Sequence, residues 1–344
     1  MATMNPGGSC ASSPPDSAGW RSLAPNALAS ALVLLLFLAA PWLAVKSLGS
    51  TYLVELLVQG MIYGILALSL NLLLGYTGLP SLGHTVYLGI GAYAVAICIS
   101  KFGLSPFEAS GVALLVTTLA GALFGLLALR TRGVYFLMIT LALAMLVWGL
   151  AYRWVDMTAG DNGISGILRP EIGPWSLQSI TDYYYFVFIV FCLSLFLMFR
   201  LVRSPFGLTL VGIRESESRM RTLGYDVWLH KYICFVIASF FGGVSGVLVI
   251  FYNGFISPTT LEVTSNMETL LMVALGGPGT ILGPFIGALI IVMLKNFVSV
   301  YTGRWLMILG AIYIVTILYA PKGLMDLARQ RGSKRVSRPA EVSR

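Results

Sequence analysis

Long apolar runs separated by short polar segments dominate the chain. They lie near residues 26–45, 52–75, 84–100, 108–129, 134–152, 184–202, 231–252, 262–276, 281–300 and 304–320. A run of about 20 apolar residues is long enough to cross a bilayer as a helix, which satisfies its own backbone hydrogen bonds. The period-two alternation of a membrane barrel is absent. The pattern predicts an all-α membrane protein with about ten transmembrane helices.

The run at 262–276 is shorter than the others and ends in three glycines, Gly276, Gly277 and Gly279, with Pro278 between them. Glycine permits backbone conformations with positive φ, and helices can break within a membrane only where protein surrounds the break. We therefore expect a broken or half-membrane helix here, followed by a tight turn.

Composition supports a chain that lipid covers. Hydrophobic residues make up 57% of it, charged residues 10%, and the mean hydropathy is +0.85, whereas soluble domains carry about 25% charged residues. The four cysteines have no metal-binding or redox spacing, and no basic run indicates nucleic-acid binding. We expect a disordered cytoplasmic tail at 1–25, a permease domain at 26–325 and a basic cytoplasmic tail at 326–344.

The basic residues predict the orientation, because cytoplasmic loops are enriched in Lys and Arg. With both termini inside and ten crossings, 16 of the 22 basic residues lie inside. The six outside are Lys46, Lys101, Arg153, Arg169, Lys295 and Arg304. Two long loops result, one outside at about 153–183 and one inside at about 203–230, and long loops in compact proteins are usually functional or disordered.

The inner loop contains a helical pattern. Ile213, Met220, Leu223 and Val227 fall on one face of a helix, and Gly224 stands where a helix end favours a left-handed residue. Such a helix could lie on lipid headgroups or enter a groove of a soluble partner. Its mixed acidic and basic face favours a protein partner, because acidic side chains are disfavoured near anionic lipid.

The sequence lacks the motifs of catalysis. It has no Walker A sequence, no zinc-protease motif and no nucleophile elbow on a strand. Glu55, Glu108 and Glu268 are predicted near span ends, so no charge is expected at a span centre, where ion-coupled transporters need one. We predict no catalytic residue, no metal and no cofactor, and we expect any energy for transport to come from another chain.

Several segments, in order, carry a family resemblance. They are 75–84 (GYTGLPSLGH), 89–93 (GIGAY), 130–141 (RTRGVYFLMITL), 158–167 (TAGDNGISGI), 214–225 and 268–280 (ETLLMVALGGPGT). Together they resemble the LivM-type permeases, the bacterial inner-membrane subunits of branched-chain amino acid ABC importers. The resemblance covers about residues 52–325.

The resemblance implies a type II ABC importer-like fold and a set of partners. These are a second, LivH-like permease, two cytoplasmic ATP-binding subunits and a periplasmic substrate-binding protein, working with this chain by alternating access in the lipid bilayer. The implied solute is a branched-chain amino acid, with urea, amides and aromatic acids as alternatives within the family. An ion-coupled secondary transporter and an integral-membrane enzyme are the rival classes.

Three groups of residues follow as candidate sites. The residues expected to contact the ATPase are Arg214, Glu215, Glu217, Arg219, Leu223 and Gly224. Those expected at the pathway or its outer mouth are Asn71, Ser81, His84, Gly160, Asp161, Asn162 and Gly163. For His84 a structural role is favoured, and for 160–163 an ordinary Asx turn is equally expected. The glycines Gly276, Gly277 and Gly279 are expected to break the helix.

Overall fold

The computed structural model of the protein describes residues 51–172, 175–301, 303–304, 307–308, 310–312, 314, 318 and 323. The predicted tails and the predicted span 26–45 lie outside these residues, and the predicted span 304–320 is described only at scattered positions. The helices are α1 (Tyr52–Asn71), α2 (Thr85–Phe102), α3 (Pro106–Ala128), α4 (Val134–Arg153), α5 (Val155–Thr158), α6 (Ile180–Arg203), α7 (Pro205–Glu215), α8 (Glu217–Thr222), α9 (Val227–Asn253), α10 (Val263–Gly276) and α11 (Gly283–Tyr301).

Seven of the described helices are long and apolar enough to cross a membrane. They are α1 with the π-helical turn Leu72–Thr77 that extends it, α2, α3, α4, α6, α9 and α11. Each coincides with a predicted run to within about four residues at either end. The all-α architecture is therefore confirmed, and the total of ten crossings stays a prediction.

Local sequence fixes several helix ends. At the start of α3, Ser105 and Glu108 form a capping box, in which each side chain bonds the other residue's backbone N–H, and Pro106 takes the first helical position. Asp226 caps α9 by accepting a bond from the backbone N–H of Leu229, 3.1 Å away. Gly254 adopts a left-handed conformation just after α9 and ends it.

The core lies between α1, α2 and α9. These helices are mostly buried, and they approach closely at small residues: a Cβ at Gly246 in α9 would collide with the backbone carbonyl of Leu88 in α2. Helices α3, α4 and α6 lie outside this core and expose Leu119, Leu146 and Ile189. Helices that are apolar on all sides but largely exposed are those that lipid or a partner subunit covers.

The spanning helices run alternately up and down, so the connecting segments collect at two ends. The 204–226 end contains segments 129–133, 204–226 and 277–282, and the 154–179 end contains segments 103–105, 154–179 and 254–262. Segment 78–84 starts at the 204–226 end and enters the interior, where the backbone N–H of Leu82 bonds to Thr140 of α4 and His84 contacts Ser69 of α1. At the 154–179 end, β1 (Ile164–Ser165) pairs antiparallel with β4 (Phe255–Ile256), and β2 (Glu171–Ile172) pairs with β3 (Trp175–Ser176).

Helix α10 is the predicted short helix. Its 14 residues span about 21 Å at 1.5 Å per residue, less than the roughly 30 Å of a hydrocarbon core. The chain then turns through Gly277 (φ 110°) and Gly279 (φ 82°) and returns as α11. The expected break is confirmed. Gly276 is an exception, because its φ is not positive and it is required instead by close packing, described below.

Two predicted charges lie elsewhere than expected. Glu268 was placed near a span end, but it lies within α10 and is 7% exposed. Lys295 was placed outside the membrane, but it lies within α11 and pairs with Glu268, with its Nζ atom 3.0 and 3.1 Å from the two carboxylate oxygens. The prediction concerned charges at span centres, and it did not include this ion pair between α10 and α11.

Candidate functional site

The inner loop folds as two short helices, α7 and α8, rather than as one amphipathic helix. The helices separate at Ser216, whose backbone is extended and whose side chain accepts a bond from the backbone N–H of Arg219 at the start of α8. Serine favours this capping role because its hydroxyl competes with the helical backbone. The predicted continuous helix through this position is wrong.

The end of α8 is formed as the sequence predicts. Gly224 has a φ of 87°, and the backbone N–H of Tyr225 bonds to the carbonyl of Met220. The predicted apolar face is only partly realised. Ile213 and Val227 are buried, whereas Leu223 is 66% exposed. Leu223 therefore lies on the surface of the 204–226 end, near the exposed cations of α8.

Arg214 connects α7 to the end of α1. Its guanidinium donates a hydrogen bond to the carbonyl oxygen of Gly75, in the π-helical turn. The aliphatic part of the side chain packs over Gly78, where a Cβ would approach Arg214 Cγ to 2.9 Å. One side chain of the inner loop thus holds the backbone of a core helix, although Arg214 is otherwise exposed.

Asn71 continues this connection to the break after α10. Its Oδ1 accepts a bond of 2.8 Å from the backbone N–H of Gly279, and its Nδ2 donates a bond of 2.7 Å to the carbonyl of Thr280. Asn71 is 2% exposed. It satisfies two backbone groups that the broken helix leaves open, which is the role that polar side chains take at breaks inside membrane proteins.

The ion pairs of Glu217 are formed with residues of this chain. Its carboxylate pairs with Lys231 of α9, whose side chain is 10% exposed, and lies 3.7 Å from Arg221. Burial raises the pKa of Glu217, but the hydrogen bond and charge of Lys231, together with the charges of Arg132 and Arg221, lower it by more, so the pKa lies below its ordinary 4.5. Glu217 therefore attaches α8 to α9, while Glu215 and Arg219 are exposed.

The predicted outer segment Gly160–Gly163 forms a tight turn at the 154–179 end. Ala159, Gly160 and Gly163 all have positive φ, and the Oγ1 of Thr158 accepts a bond from the N–H of Gly160. Asp161 and Asn162 are exposed, and within the described part of the chain their side chains make no hydrogen bond. The turn is therefore fixed by backbone and Thr158, not by an Asx side chain.

Ser81 and His84 lie buried at the start of α2. The Nε2 atom of His84 is 2.7 Å from the hydroxyl of Ser69 in α1, and its ring packs edge-on against Tyr87. The hydroxyl of Ser81 accepts a weak bond of 3.4 Å from the N–H of Gly83. These contacts join helices and support the structural role favoured for His84. A place for either residue on the pathway stays a prediction.

The pairing of Glu268 with Lys295 was not predicted, although the sequence contains a signal for it. Ile281 and Leu282 lie in the turn between α10 and α11. Glu268 precedes Ile281 by as many residues as Lys295 follows Leu282. A hairpin centred on the predicted break brings them level with each other. Lys231 and Thr85 gave no such signal, because their contacts depend on how distant helices pack.

Comparison with known proteins identifies the family. The profile of the branched-chain amino acid transport system permease component matches residues 52–318, which include all the spanning helices described. No solved structure is significantly similar to the chain.

Individual relatives agree with that match. The high-affinity branched-chain amino acid permease LivM of Salmonella typhimurium is 30% identical over 321 residues, covering 87% of this chain and 75% of that protein. In Methanocaldococcus jannaschii, the probable LivM permease is 26% identical, covering 77% of this chain and 90% of that protein. The probable LivH permease of the same organism is 25% identical, covering 82% and 94%.

These relatives are named as permeases, so the prediction of a transport subunit rather than an enzyme is confirmed. The predicted LivM-type resemblance is confirmed as well. The chain belongs to the family of branched-chain amino acid transport system permease components.

Proposed function

We propose that the chain is the LivM-type permease subunit of an ATP-driven importer of branched-chain amino acids in a bacterial inner membrane. The observation that carries this proposal is the family match over residues 52–318, the whole described membrane region. Both termini lie inside after ten crossings, and the 204–226 end faces the cytoplasm. The loops of that end contain Arg130, Arg132, Arg214, Arg219 and Arg221, as the positive-inside rule requires.

The remaining subunits meet the two ends. Two cytoplasmic ATP-binding subunits serve the complex, and one of them contacts α7 and α8 through Arg219, Leu223, Gly224 and the exposed Glu215. A second, LivH-like permease completes the pathway. This proposal is supported by the similarity of the chain to the probable LivH permease of Methanocaldococcus jannaschii. A periplasmic binding protein delivers the solute to the 154–179 end, where the turn at 160–163 is exposed.

The contacts of α7 support a mechanism of alternating access. Movement of the ATPase displaces α7 and α8, and Arg214 transfers that displacement to the carbonyl of Gly75. Asn71 lies one turn earlier in the same helix and holds the break at 279–280. The inner loop thus acts on two core elements, α1 and α10, through a short series of hydrogen bonds.

The function is tested by reconstitution. The chain is co-expressed with its partner subunits, purified, and placed in proteoliposomes with the binding protein outside and ATP inside. We expect uptake of leucine that requires both ATP and the binding protein, with urea and phenylalanine taken up poorly. Ion-driven uptake by the chain alone, with no ATP-binding subunit, would contradict the proposal and favour a secondary transporter.

The docking surface is tested by replacing Leu223 with Asp. Because Leu223 is 66% exposed, we expect the fold to tolerate the change, whereas a charge in an apolar contact costs binding energy. Co-purification of the ATP-binding subunit is expected to fall several-fold. The matched control is Leu168→Asp, since Leu168 is 70% exposed at the opposite end. Equal loss of the ATP-binding subunit in both variants would remove α8 from the interface.

A further inference from the structure

A cavity of about 360 Å³ lies between four helices and one loop. Its walls come from α1, α2, α10, α11 and the segment 259–262, so it opens near the 154–179 end, where Thr259 and Thr264 are exposed. Small-molecule sites in proteins occupy about 300–1,000 Å³. The volume therefore suits one small solute, together with a few water molecules.

The cavity contains both members of the ion pair between α10 and α11, of which Glu268 is buried and Lys295 half-buried. Glu268 enters it from α10 and Lys295 from α11, with side chains that are 10% and 37% exposed. A charged side chain within a membrane segment is costly, and such residues mark solute or ion pathways more often than they stabilise folds. The pair keeps each charge compensated while the cavity holds no solute, since an uncompensated buried charge is strongly destabilising.

A hydroxyl without a partner lies in the same wall. Thr85 is 2% exposed, and its Oγ1 atom has no hydrogen-bond partner among the residues that the structure describes. Its backbone N–H is already bonded to the Oδ1 of Asn266. Buried polar atoms are nearly always satisfied by protein, water or ligand, so this hydroxyl is available to a polar group that enters the cavity.

The wall also contains apolar side chains. Leu88 and Met272 are each at most 2% exposed, and both line the cavity. The wall of the cavity therefore combines two opposite charges, a hydroxyl and an apolar surface. A solute that satisfies all of them has a cation, an anion and a short hydrocarbon group.

We propose that this cavity is a transient binding site for a zwitterionic α-amino acid with an apolar side chain. Lys295 binds the carboxylate, Glu268 binds the ammonium group, and Leu88 with Met272 contacts the hydrocarbon. The solute's two charges replace the ones that Glu268 and Lys295 supply to each other in the empty cavity. The choice of solute rests on the proposed function, but the site itself is tested without ATP or transport.

The first test is protection from labelling in the assembled complex. Thr264, exposed at the mouth of the cavity, is replaced by Cys and allowed to react with a membrane-impermeant thiol reagent. We expect millimolar leucine to slow the reaction, and leucinamide and 4-methylpentanoate, which each lack one charge, to slow it much less. The matched control is Ser165→Cys, exposed at the same end but outside the cavity lining, where leucine is expected to change nothing.

The second test exchanges the two charges. The double variant Glu268→Lys/Lys295→Glu keeps an ion pair in the cavity but reverses its direction, so a purely structural pair would tolerate it. We expect the complex to assemble, leucine protection to be lost, and uptake to fall about tenfold or more. Uptake and protection at the level of the unmodified protein would overturn the site.

Two conservative variants keep the proposal testable if the charge-exchanged protein does not fold. Thr85→Val removes the unpartnered hydroxyl, and Thr117→Val removes a buried hydroxyl that bonds within α3 to the carbonyl of Ala113. We expect Thr85→Val alone to raise the leucine concentration that gives half-protection. Absence of protection by leucine in the Thr264→Cys protein overturns the site, whether or not the complex transports. Protection without ATP-driven uptake would instead overturn the proposed function alone.

Discussion

Replacement of Gly276 by alanine is expected to destabilise the permease more than any other single-methyl change considered. Gly276 ends α10, and a Cβ there would collide with the carbonyl of Gly283 and lie 2.7 Å from the nitrogen of Pro284. All of these atoms are backbone, so no rotamer change can relieve the contact. Overpacking of a tight interior costs about 1–3 kcal/mol, which corresponds for a chain of this length to a fall in Tm of roughly 1–4 °C in a thermal melt of the purified protein.

The control for this variant is Gly149→Ala. Gly149 lies in α4, and a Cβ there meets no heavy atom within 4 Å. Alanine is a better helix former than glycine by about 1 kcal/mol, so the Tm is expected to stay the same or to rise slightly. An equal loss of stability in both variants would show that the close approach of α10 and α11 is not the cause.

Replacement of Arg214 by methionine is expected to uncouple the permease from its ATPase. Methionine keeps most of the aliphatic stem but removes the hydrogen bond to the carbonyl of Gly75. Hydrogen bonds from charged groups contribute about 1.5–3 kcal/mol, or roughly tenfold or more in an equilibrium between two states. We expect leucine uptake to fall by at least about this factor, while the ATP-binding subunit still co-purifies.

The matched variant is Arg200→Met. Arg200 belongs to the last turn of α6, on the same side of the molecule, and lies over the ring of Phe196 rather than on α1. Uptake is expected to be near normal in this variant. If Arg214→Met transports normally, or loses the ATP-binding subunit, the hydrogen bond to Gly75 is not the element that transmits the motion.

The helices were predictable because their determinants are local. Apolar runs of sufficient length define α1, α2 and α4. The run at 108–129 gave α3 to within two residues, and the capping box of Ser105 and Glu108 shows that the start of α3 is also locally determined. The break after α10 was predictable for the same reason, since Gly277 and Gly279 adopt conformations that disfavour other residues. None of these features requires knowledge of a distant part of the chain.

The inner loop shows the limit of periodicity. The spacing of Ile213, Met220 and Leu223 predicted one helix, but Ser216 interrupts it and begins a second. A serine followed by polar residues competes with the helical backbone, and that local preference outweighed the weaker apolar pattern. The exposure of Leu223 follows from this interruption, because the extended backbone of Ser216 sets α8 in a different direction from α7.

The candidate site depends on tertiary contacts, and much of it was therefore not predictable. Asn71 was identified, but its bonds to Gly279 and Thr280 join positions far apart in sequence. The burial of Glu268 was not predicted because it depends on the helices that pack around α10, and its partner Lys295 was not predicted for the same reason. Charge alone could not distinguish a loop residue from one buried in a hairpin.

The pairing of β1 with β4 has a consequence for synthesis. Ile164 follows α4, whereas its partner Ile256 follows α9, so this end of the molecule closes only after α9 has left the ribosome. Translation at about 5–20 residues per second leaves the segment after α4 unpaired for several seconds. During that interval the strand edge is open to chaperones or to a neighbouring subunit, and a variant with a weakened β4 would be retained in that incomplete form.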